Sequence, residues 1–198
     1  MRKRNPWVSI SDLLSSVVLI LLLMFVMASI IPKYTQEAQR HQMMERIKTA
    51  LHEYEESEQI AINSDTGLIE FKDATFAQGD SRPKDVTVNI IRQLAETLKA
   101  YMVENEMMEI MFEGHTDAAP IKAGVINLGG YYTNNVELSM LRAEHVRDVF
   151  VQSIGAEYSK RVGAAGYGET RLKDAASPLS PENRRIEMRI LWNGQAND

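Results

Sequence analysis

Cysteine is absent from the 198-residue chain. The chain can therefore form no disulfide, no thiolate metal site and no acylated cysteine of the bacterial lipoprotein type. Basic residues are also in the minority, with 22 Lys and Arg against 27 Asp and Glu, and the net charge is −5. Because nucleic-acid-binding proteins usually carry a basic stripe, a nucleic-acid partner is not expected.

Charge is missing from one long stretch near the N-terminus. Residues 13–31 contain no charged side chain, and their only polar groups are three serines. An apolar helix of about 20 residues covers a hydrocarbon core of roughly 30 Å. The sequence therefore predicts a transmembrane helix over residues 7–31, preceded by a cytoplasmic tail of residues 1–6.

The flanking charges indicate the direction of crossing. Residues 2–4 are Arg-Lys-Arg, and basic residues beside a span stay in the cytoplasm. The prediction is a single-pass protein of the bacterial inner membrane, with a periplasmic C-terminal domain. The alternative is a cleaved signal peptide, with residues 26–28 (Val-Met-Ala) as its cleavage site. We favour the anchor because the apolar run exceeds a signal core of roughly 7–15 residues.

An acid, Asp12, lies at the start of the apolar run, shortly before Ser15 and Ser16. An ionised acid in a span costs roughly 2.5–3.5 kcal/mol on insertion scales, so such acids usually face a partner or a water path. Position alone leaves open whether Asp12 is a solvated interfacial acid or a functional one. The two serines are candidate ion-path hydroxyls, although serines in spans more often bond back to their own helix.

Residues 32–59 are polar and are predicted to form a periplasmic stalk helix. We expect Pro32 to mark the end of the membrane span. Within the stalk, Ile47, Leu51 and Tyr54 recur at helical spacing. This narrow seam either pairs two copies of the chain in a short coiled coil or belongs to a solvated linker helix.

The periodicity changes near residue 60, and residues 60–192 are predicted to form one globular domain, followed by a tail of residues 193–198. Strands that alternate with helices indicate a layered α/β fold. The predicted fold class is therefore α/β, with one transmembrane helix and a short stalk helix before a β-α-β-α-β-β sandwich. The predicted elements are two short strands or a hairpin over 60–71, helices over 84–105 and 137–154, and strands over 107–112, 161–167 and 185–192.

Four motifs follow one another in this domain. They are Gly114-His115-Thr116-Asp117, then Asn135, Leu138-Ser139 and Arg142-Ala143, then Gly166-Tyr167-Gly168-Glu169, and finally Asn183-Arg184-Arg185-Ile186-Glu187. In this order the sequence resembles the OmpA-like peptidoglycan-binding domain family, whose pattern is GHTD, N-x-x-LS-x-x-RA, GxGE and NRR-x-E. The resemblance implies an OmpA-like fold, a peptidoglycan partner and no enzymatic activity.

The resemblance also implies roles for particular residues. In the family, the Asp of GHTD and the Arg of LS-x-x-RA grip the diaminopimelate of the peptide stem, and these correspond to Asp117 and Arg142. Asp117 would pair with the ligand ammonium, and Arg142 would fork onto its carboxylate. Thr116, Asn135 and Arg184 are expected to line the pocket or orient these groups. A simple ion pair between Asp117 and Arg142 remains the alternative.

Two further predictions concern residues 183–185 and His115. Residues 183–185 could equally form a structural turn. His115 stands close to Asp117, but no nucleophile and no regularly spaced further ligands accompany it. We therefore expect His115 to be buried and hydrogen-bonded, and we expect no catalytic residue, no metal and no cofactor.

The N-terminal helix carries a second resemblance. Residues 7–15 look like the segment around the acid in B-type subunits of ion-driven membrane motors, and residues 117–121 and 135–139 look like the flagellar variants of the wall-binding motifs. Leu14 departs from the usual Met, the loop over residues 121–134 is longer, and the tail is shorter. These departures favour the B subunit of the Zorya anti-phage defence system over a flagellar subunit.

This second resemblance implies a homodimer of the chain inside a pentameric ring of multi-span A-type subunits. Asp12 would carry the ion, with Ser15 and Ser16 on its path and H⁺ favoured over Na⁺. A flagellar stator subunit, or a passive tether between membrane and cell wall, is the alternative.

Overall fold

The computed structural model describes residues 6–72, 76, 80–121, 126–127 and 130–192. Residues 1–5 and the predicted C-terminal tail lie outside this set. The chain forms two compact units, Met1–Gln42 and Met43–Asp198.

The first unit contains most of a long helix, α1 (Pro6–Glu56). Its stretch Ile10–Ile30 has a mean hydropathy of 2.8 over 21 residues, and none of that stretch is buried in the protein. Among the described residues, α1 is the one helix long and apolar enough to cross a membrane. The helix also runs through Pro32, which follows the apolar stretch, so the predicted span and stalk helix are one continuous helix. Proline removes one hydrogen bond, to the carbonyl of residue 28, and membrane helices tolerate such a loss.

The last turns of α1 belong to the second unit. Two side chains of the predicted seam, Ile47 and Leu51, are completely buried in the hydrophobic core of the same chain, and the third, Tyr54, is partly buried against it. Gln93 Nε2 on the next helix donates to the carbonyl of Ala50 at 2.6 Å. The seam is therefore neither a solvated linker nor a free surface for a second copy. The globular unit therefore begins at Met43, whereas the sequence predicted a start at residue 60. The buried residues are Met43, Met44, Ile47 and Leu51.

Two helices and a five-stranded sheet complete the second unit. The elements are β1 (Ile60–Asn63), β2 (Leu68–Phe71), α2 (Asp85–Glu104), β3 (Met108–His115), β4 (Ile126–Asn127), β5 (Gly130–Tyr131), α3 (Asn135–Ile154), β6 (Val162–Gly168) and β7 (Arg185–Trp192). The strands of the large sheet lie in the order β1-β2-β7-β3-β6, with β3 and β6 parallel and the other neighbours antiparallel. Strands β4 and β5, of two residues each, form a separate antiparallel pair. This pair was not predicted, because strands this short carry no alternation. The predicted α/β fold class is confirmed.

Side chains alternate between the two faces of β3, and one of these faces packs against the helices. On β3, Ile110 and Phe112 are buried on the helix side, where Phe112 meets Phe150 of α3 edge-to-face with centroids 5.5 Å apart. Burying a side chain of this size stabilises the fold by about 1.5–3 kcal/mol. Glu113 and His115 occupy the alternate positions of β3, so their side chains point to the opposite face of the sheet. The GHTD motif begins at the end of β3, beside the start of α3.

Candidate functional site

Glycines bring the start of α3 directly onto the ends of β3 and β6. A Cβ on Gly114 would overlap the carbonyl of Ser139, and one on Gly166 would lie 2.5 Å from the Met140 amide nitrogen. The Ser139 hydroxyl accepts a hydrogen bond from the Gly168 amide at 2.9 Å. The glycines of GHTD and GxGE, together with the serine of LS, thus fix the helix against the sheet at the site.

The first turn of α3 is closed by a reciprocal cap. The Asn134 side chain accepts from the Glu137 amide at 2.9 Å, and Glu137 Oε2 accepts from the Thr133 amide at 2.6 Å. The Thr133 hydrogen bonds hold the pKa of Glu137 below its usual value. This arrangement is a capping box, and it defines the position at which Asn135 enters the helix.

Asp117 lies in a network of hydrogen bonds and is only 8% exposed. One carboxylate oxygen accepts from the Ala119 amide at 3.1 Å, and the other accepts from Arg184 Nη1 at 2.6 Å. Asn135 Nδ2 donates to the carbonyls of Asp117 and Ala119 at 3.4 and 3.1 Å. The fold thus brings together three of the predicted site residues, and the partner of the Asp117 carboxylate is Arg184 rather than Arg142.

Thr116 lies beside this network with its side chain buried. Its amide donates to the Gly168 carbonyl at 3.0 Å, which ties the end of β3 to the end of β6. Its hydroxyl oxygen is inaccessible and has no hydrogen-bond partner within the described residues. Its backbone therefore has a structural role here, and its place in the wall of a binding pocket stays a prediction.

The Asn-Arg-Arg segment contains one residue that stabilises the loop, Asn183, and one that contacts Asp117, Arg184. Asn183 is fully buried, and its Nδ2 donates to the carbonyls of Asp174, Ser177 and Pro178 at 3.1–3.2 Å. The Pro178 carbonyl also accepts from the Ala118 amide at 3.0 Å. The predicted turn is therefore present, and it presents Arg184 to Asp117.

Arg142 has contacts in a different segment. Its side chain is buried, its Nε donates to the Asp80 carbonyl at 3.0 Å, and its guanidinium carbon lies 5.2 Å from the centroid of the Phe76 ring. One turn further along α3, His145 Nδ1 lies 3.0 Å from the Ser81 carbonyl. No sequence motif indicated that Phe76, Asp80 or Ser81 contacts α3. The one available signal was an aromatic residue in a polar loop.

His115 is 2% exposed, but its ring nitrogens have no hydrogen-bond partner among the described residues. The predicted burial is present, and the predicted hydrogen bond is not. The ring stacks on Tyr167, with centroids 5.5 Å apart, and Nε2 lies 3.9 Å from Glu187 Oε1. Burial, followed by the charge of Arg185, lowers the pKa of His115 to about 4. The side chain is therefore neutral at neutral pH.

Two carboxylates approach His115 in a way that sequence spacing did not reveal. Ligand atoms of Glu113, His115 and Glu187 lie within 4.8 Å of one another. The carboxylates, however, are already paired with cations. Arg189 bonds to Glu113 at 2.8 Å and to Glu187 at 2.7 Å, and Arg185 bonds to Glu187 at 2.8 Å. Two guanidinium groups thus already neutralise the charge of these carboxylates.

The candidate ion-translocation residues lie in the other unit, within the apolar stretch of α1. The Ser15 hydroxyl donates to the Ser11 carbonyl at 2.8 Å, and the Ser16 hydroxyl donates to the Asp12 carbonyl at 2.9 Å. Both serines therefore bond back to their own helix, which was the structural alternative. Their place on an ion path, and the role of Asp12, remain predictions.

Comparison with known proteins gives the family. A family model described as the OmpA family matches residues 75–185, which is more than half of the chain. The chain belongs to the OmpA family. Among OmpA-related sequences it is similar to Outer membrane porin F of Pseudomonas aeruginosa, with 34% identity over 118 residues, covering 60% of this chain and 29% of the porin.

A second relative of this OmpA-family chain is Motility protein B of Bacillus subtilis. It is 32% identical over 136 residues, covering 65% of this chain and 46% of the relative. The chain thus spans less than half the length of either relative. The fold resembles that of a MotB-like protein from Desulfovibrio vulgaris, with a TM-score of 0.57, 22% identity and coverage of 79% of this chain and 96% of that one.

A further solved structure with the same fold is the cell wall anchor of the type VI secretion system from Pseudomonas aeruginosa. Its TM-score is 0.58 at 20% identity, covering 74% of this chain and 96% of that one. At these identities the likeness concerns the fold alone. It agrees with the OmpA-like sheet domain described above.

Proposed function

We propose that this OmpA-family chain anchors a complex of the bacterial inner membrane to peptidoglycan. One observation carries the proposal. The same chain contains an apolar helix long enough to cross a bilayer and an OmpA domain in which Asp117 is held in a buried polar network. The basic residues before the helix support an N-terminus in the cytoplasm and a wall-binding domain in the periplasm.

The chemistry of the two proposed binding residues suits a zwitterionic ligand. Diaminopimelate in the peptide stem offers one ammonium and one carboxylate. Asp117 would accept from the ammonium, and Arg142 would donate to the carboxylate through a charge-assisted hydrogen bond. Asn135 and Arg184 would hold Asp117 in place, since both already contact it.

The apolar helix α1 is the basis for the proposed activity of the anchored complex. We infer a B-type motor subunit in which Asp12 exchanges a proton while facing a pentameric ring of A-type subunits around two copies of this chain. An ionised acid in hydrocarbon is costly, so proton uptake and release would change how the span packs against the ring. The similarity to Motility protein B supports this class. Leu14 and the longer loop after residue 121 favour a Zorya-type motor over a flagellar one.

Asp12→Asn tests the motor. The full chain would be co-expressed with its A-type partner, and proton uptake into inverted vesicles would be measured beside retention on the cell wall. We expect the variant to abolish proton flux and keep wall binding. Ser29→Ala is the matched control, because Ser29 also lies in the apolar stretch and bonds back to its own helix at 2.8 Å.

Other outcomes separate the alternatives. Unchanged proton flux in Asp12→Asn would contradict the motor. A wild-type complex that carries no proton but holds the wall would indicate a passive tether. N-terminal sequencing of the mature protein decides the signal-peptide alternative, because cleavage after Ala28 would remove the membrane role.

A further inference from the structure

Arg142 contacts a short segment that the known motifs do not include. Its guanidinium carbon lies 5.2 Å from the centroid of the Phe76 ring, and its Nε donates to the carbonyl of Asp80 at 3.0 Å. Arg142 is 5% exposed and Phe76 is 7% exposed. The cation and the ring therefore meet away from bulk water, where such a contact is strongest.

The segment that carries Phe76 is itself attached to α3. Phe76 forms an isolated antiparallel bridge with Pro83. The Ser81 carbonyl lies 3.0 Å from Nδ1 of His145, which is one turn beyond Arg142 on the same helix face. Two points on α3 thus hold the segment, and the segment in turn fixes the ring against the guanidinium.

We propose that Phe76 is a positioning residue that orients Arg142 toward the carboxylate of the stem peptide. This inference rests on the wall-binding function proposed above. An aromatic face attracts a guanidinium without using any of its N–H donors. Phe76 can therefore hold the plane of Arg142 without itself occupying an N–H donor. A cation oriented in advance loses less side-chain freedom when it binds its ligand.

The role predicts a specific pattern of affinities. The full-length chain in detergent would be titrated with a stem peptide that has a free diaminopimelate carboxylate, and with the same peptide amidated at that carboxylate. We expect Phe76→Leu to weaken binding of the free-carboxylate peptide by about 5–10-fold. Binding of the amidated peptide should change less than about twofold, because the amide lacks the charge that Arg142 recognises.

Two further variants serve as controls. Phe76→Tyr keeps the ring and should keep the affinity. Tyr158→Leu removes a ring from a different arginine, Arg161, whose guanidinium carbon lies 5.0 Å from the Tyr158 centroid. It should leave both affinities unchanged. Equal losses for the two peptides in Phe76→Leu, or no loss in a folded variant, would overturn the proposal.

A measurement without ligand distinguishes this proposal from the proposed function. In the full chain labelled with ¹⁵N-arginine, the Nε–H resonance of Arg142, assigned through Arg142→Lys, should move in Phe76→Leu and Phe76→Met. An unmoved resonance contradicts the positioning role even if the wild type binds peptidoglycan. A resonance that moves in a protein that binds neither peptide contradicts the wall-binding function alone. Phe76→Met keeps most of the volume, so it serves if Phe76→Leu fails to fold.

Discussion

Gly114 lies against the carbonyl of Ser139 so closely that a Cβ would overlap the oxygen. This contact sets the distance between β3 and α3. Asp117 comes shortly after the end of β3, and Arg142 follows Ser139 on α3, so the contact also sets the distance between the two halves of the proposed site. The glycine of the GHTD motif is therefore a packing requirement for the residues of the proposed site.

Gly114→Ala should destabilise the fold by at least about 2 kcal/mol, because the obstructing atom belongs to the backbone and cannot rotate away. Chemical denaturation of the full chain in detergent measures the loss. Gly163→Ala is the control. A Cβ there would meet only the end of the flexible Met111 side chain, 2.7 Å away, and should cost less than about 1 kcal/mol. Equal costs for the two variants would contradict this account of the helix–strand contact.

Asn183→Ala should both destabilise the protein and weaken wall binding. The side chain is fully buried and makes three donor contacts and one acceptor contact with residues 174–178. Leaving several of these groups unsatisfied costs on the order of 3 kcal/mol. Wall binding should fall because the same loop presents Arg184 to Asp117. Thermal melting and retention on peptidoglycan are the two readouts.

Asn105→Ala provides the comparison for the Asn183 variant. Asn105 Nδ2 donates to the Tyr101 carbonyl at the end of α2, away from the site. It should cost at most about 1 kcal/mol and leave wall binding intact. Normal binding by a folded Asn183→Ala protein would show that the loop does not support the site.

His115 should make stability depend on pH. Burial lowers its pKa to about 4 from an ordinary 6.5, so between these values the unfolded state binds a proton that the folded state does not. Stability therefore falls as the pH decreases from about 6.5 to about 4, by roughly 3 kcal/mol at most, and this contribution is constant below pH 4. Denaturation at several pH values should show this slope in the wild type.

His115→Gln should remove most of that slope, because glutamine does not titrate. Glu187 remains in the variant. Burial alone would raise its pKa, but the charge and hydrogen bond of Arg185 lower it. Its contribution is present above the ordinary carboxyl pKa of 4.5 and is lost as the pH falls through its lowered folded value. An equal slope between pH 4 and 6.5 in both proteins would contradict the assignment to His115.

Sequence periodicity and short motifs were sufficient to predict much of the fold. The helical spacing predicted α2 and α3 to within two residues, and the alternation of β7 predicted its bounds as observed. The spaced motifs predicted the family and brought attention to Asp117, Asn135 and Arg184, which the fold places in contact. These features depend on short-range periodicity or on a motif, and both are visible in one sequence.

Tertiary packing decided the features that the sequence did not reveal. The seam of α1 has the same spacing whether it faces solvent, a second copy or its own domain, and only the fold shows that Ile47 and Leu51 are core residues. Likewise, Phe76 and Arg142 are separated by 66 positions in sequence, and no local signal connects them. Glu187 reaches Glu113 and His115 only through the pairing of β3 with β7.

Wall binding through Asp117 is the central claim, and cosedimentation of the full chain with purified peptidoglycan sacculi tests it most directly. Wild type and Asp148→Asn should pellet equally, because Asp148 forms an exposed ion pair with Arg147 elsewhere on α3. Asp117→Asn removes the proposed partner of the ligand ammonium and should weaken retention by at least about tenfold. Equal retention of Asp117→Asn and wild type, with both proteins folded, would contradict the account.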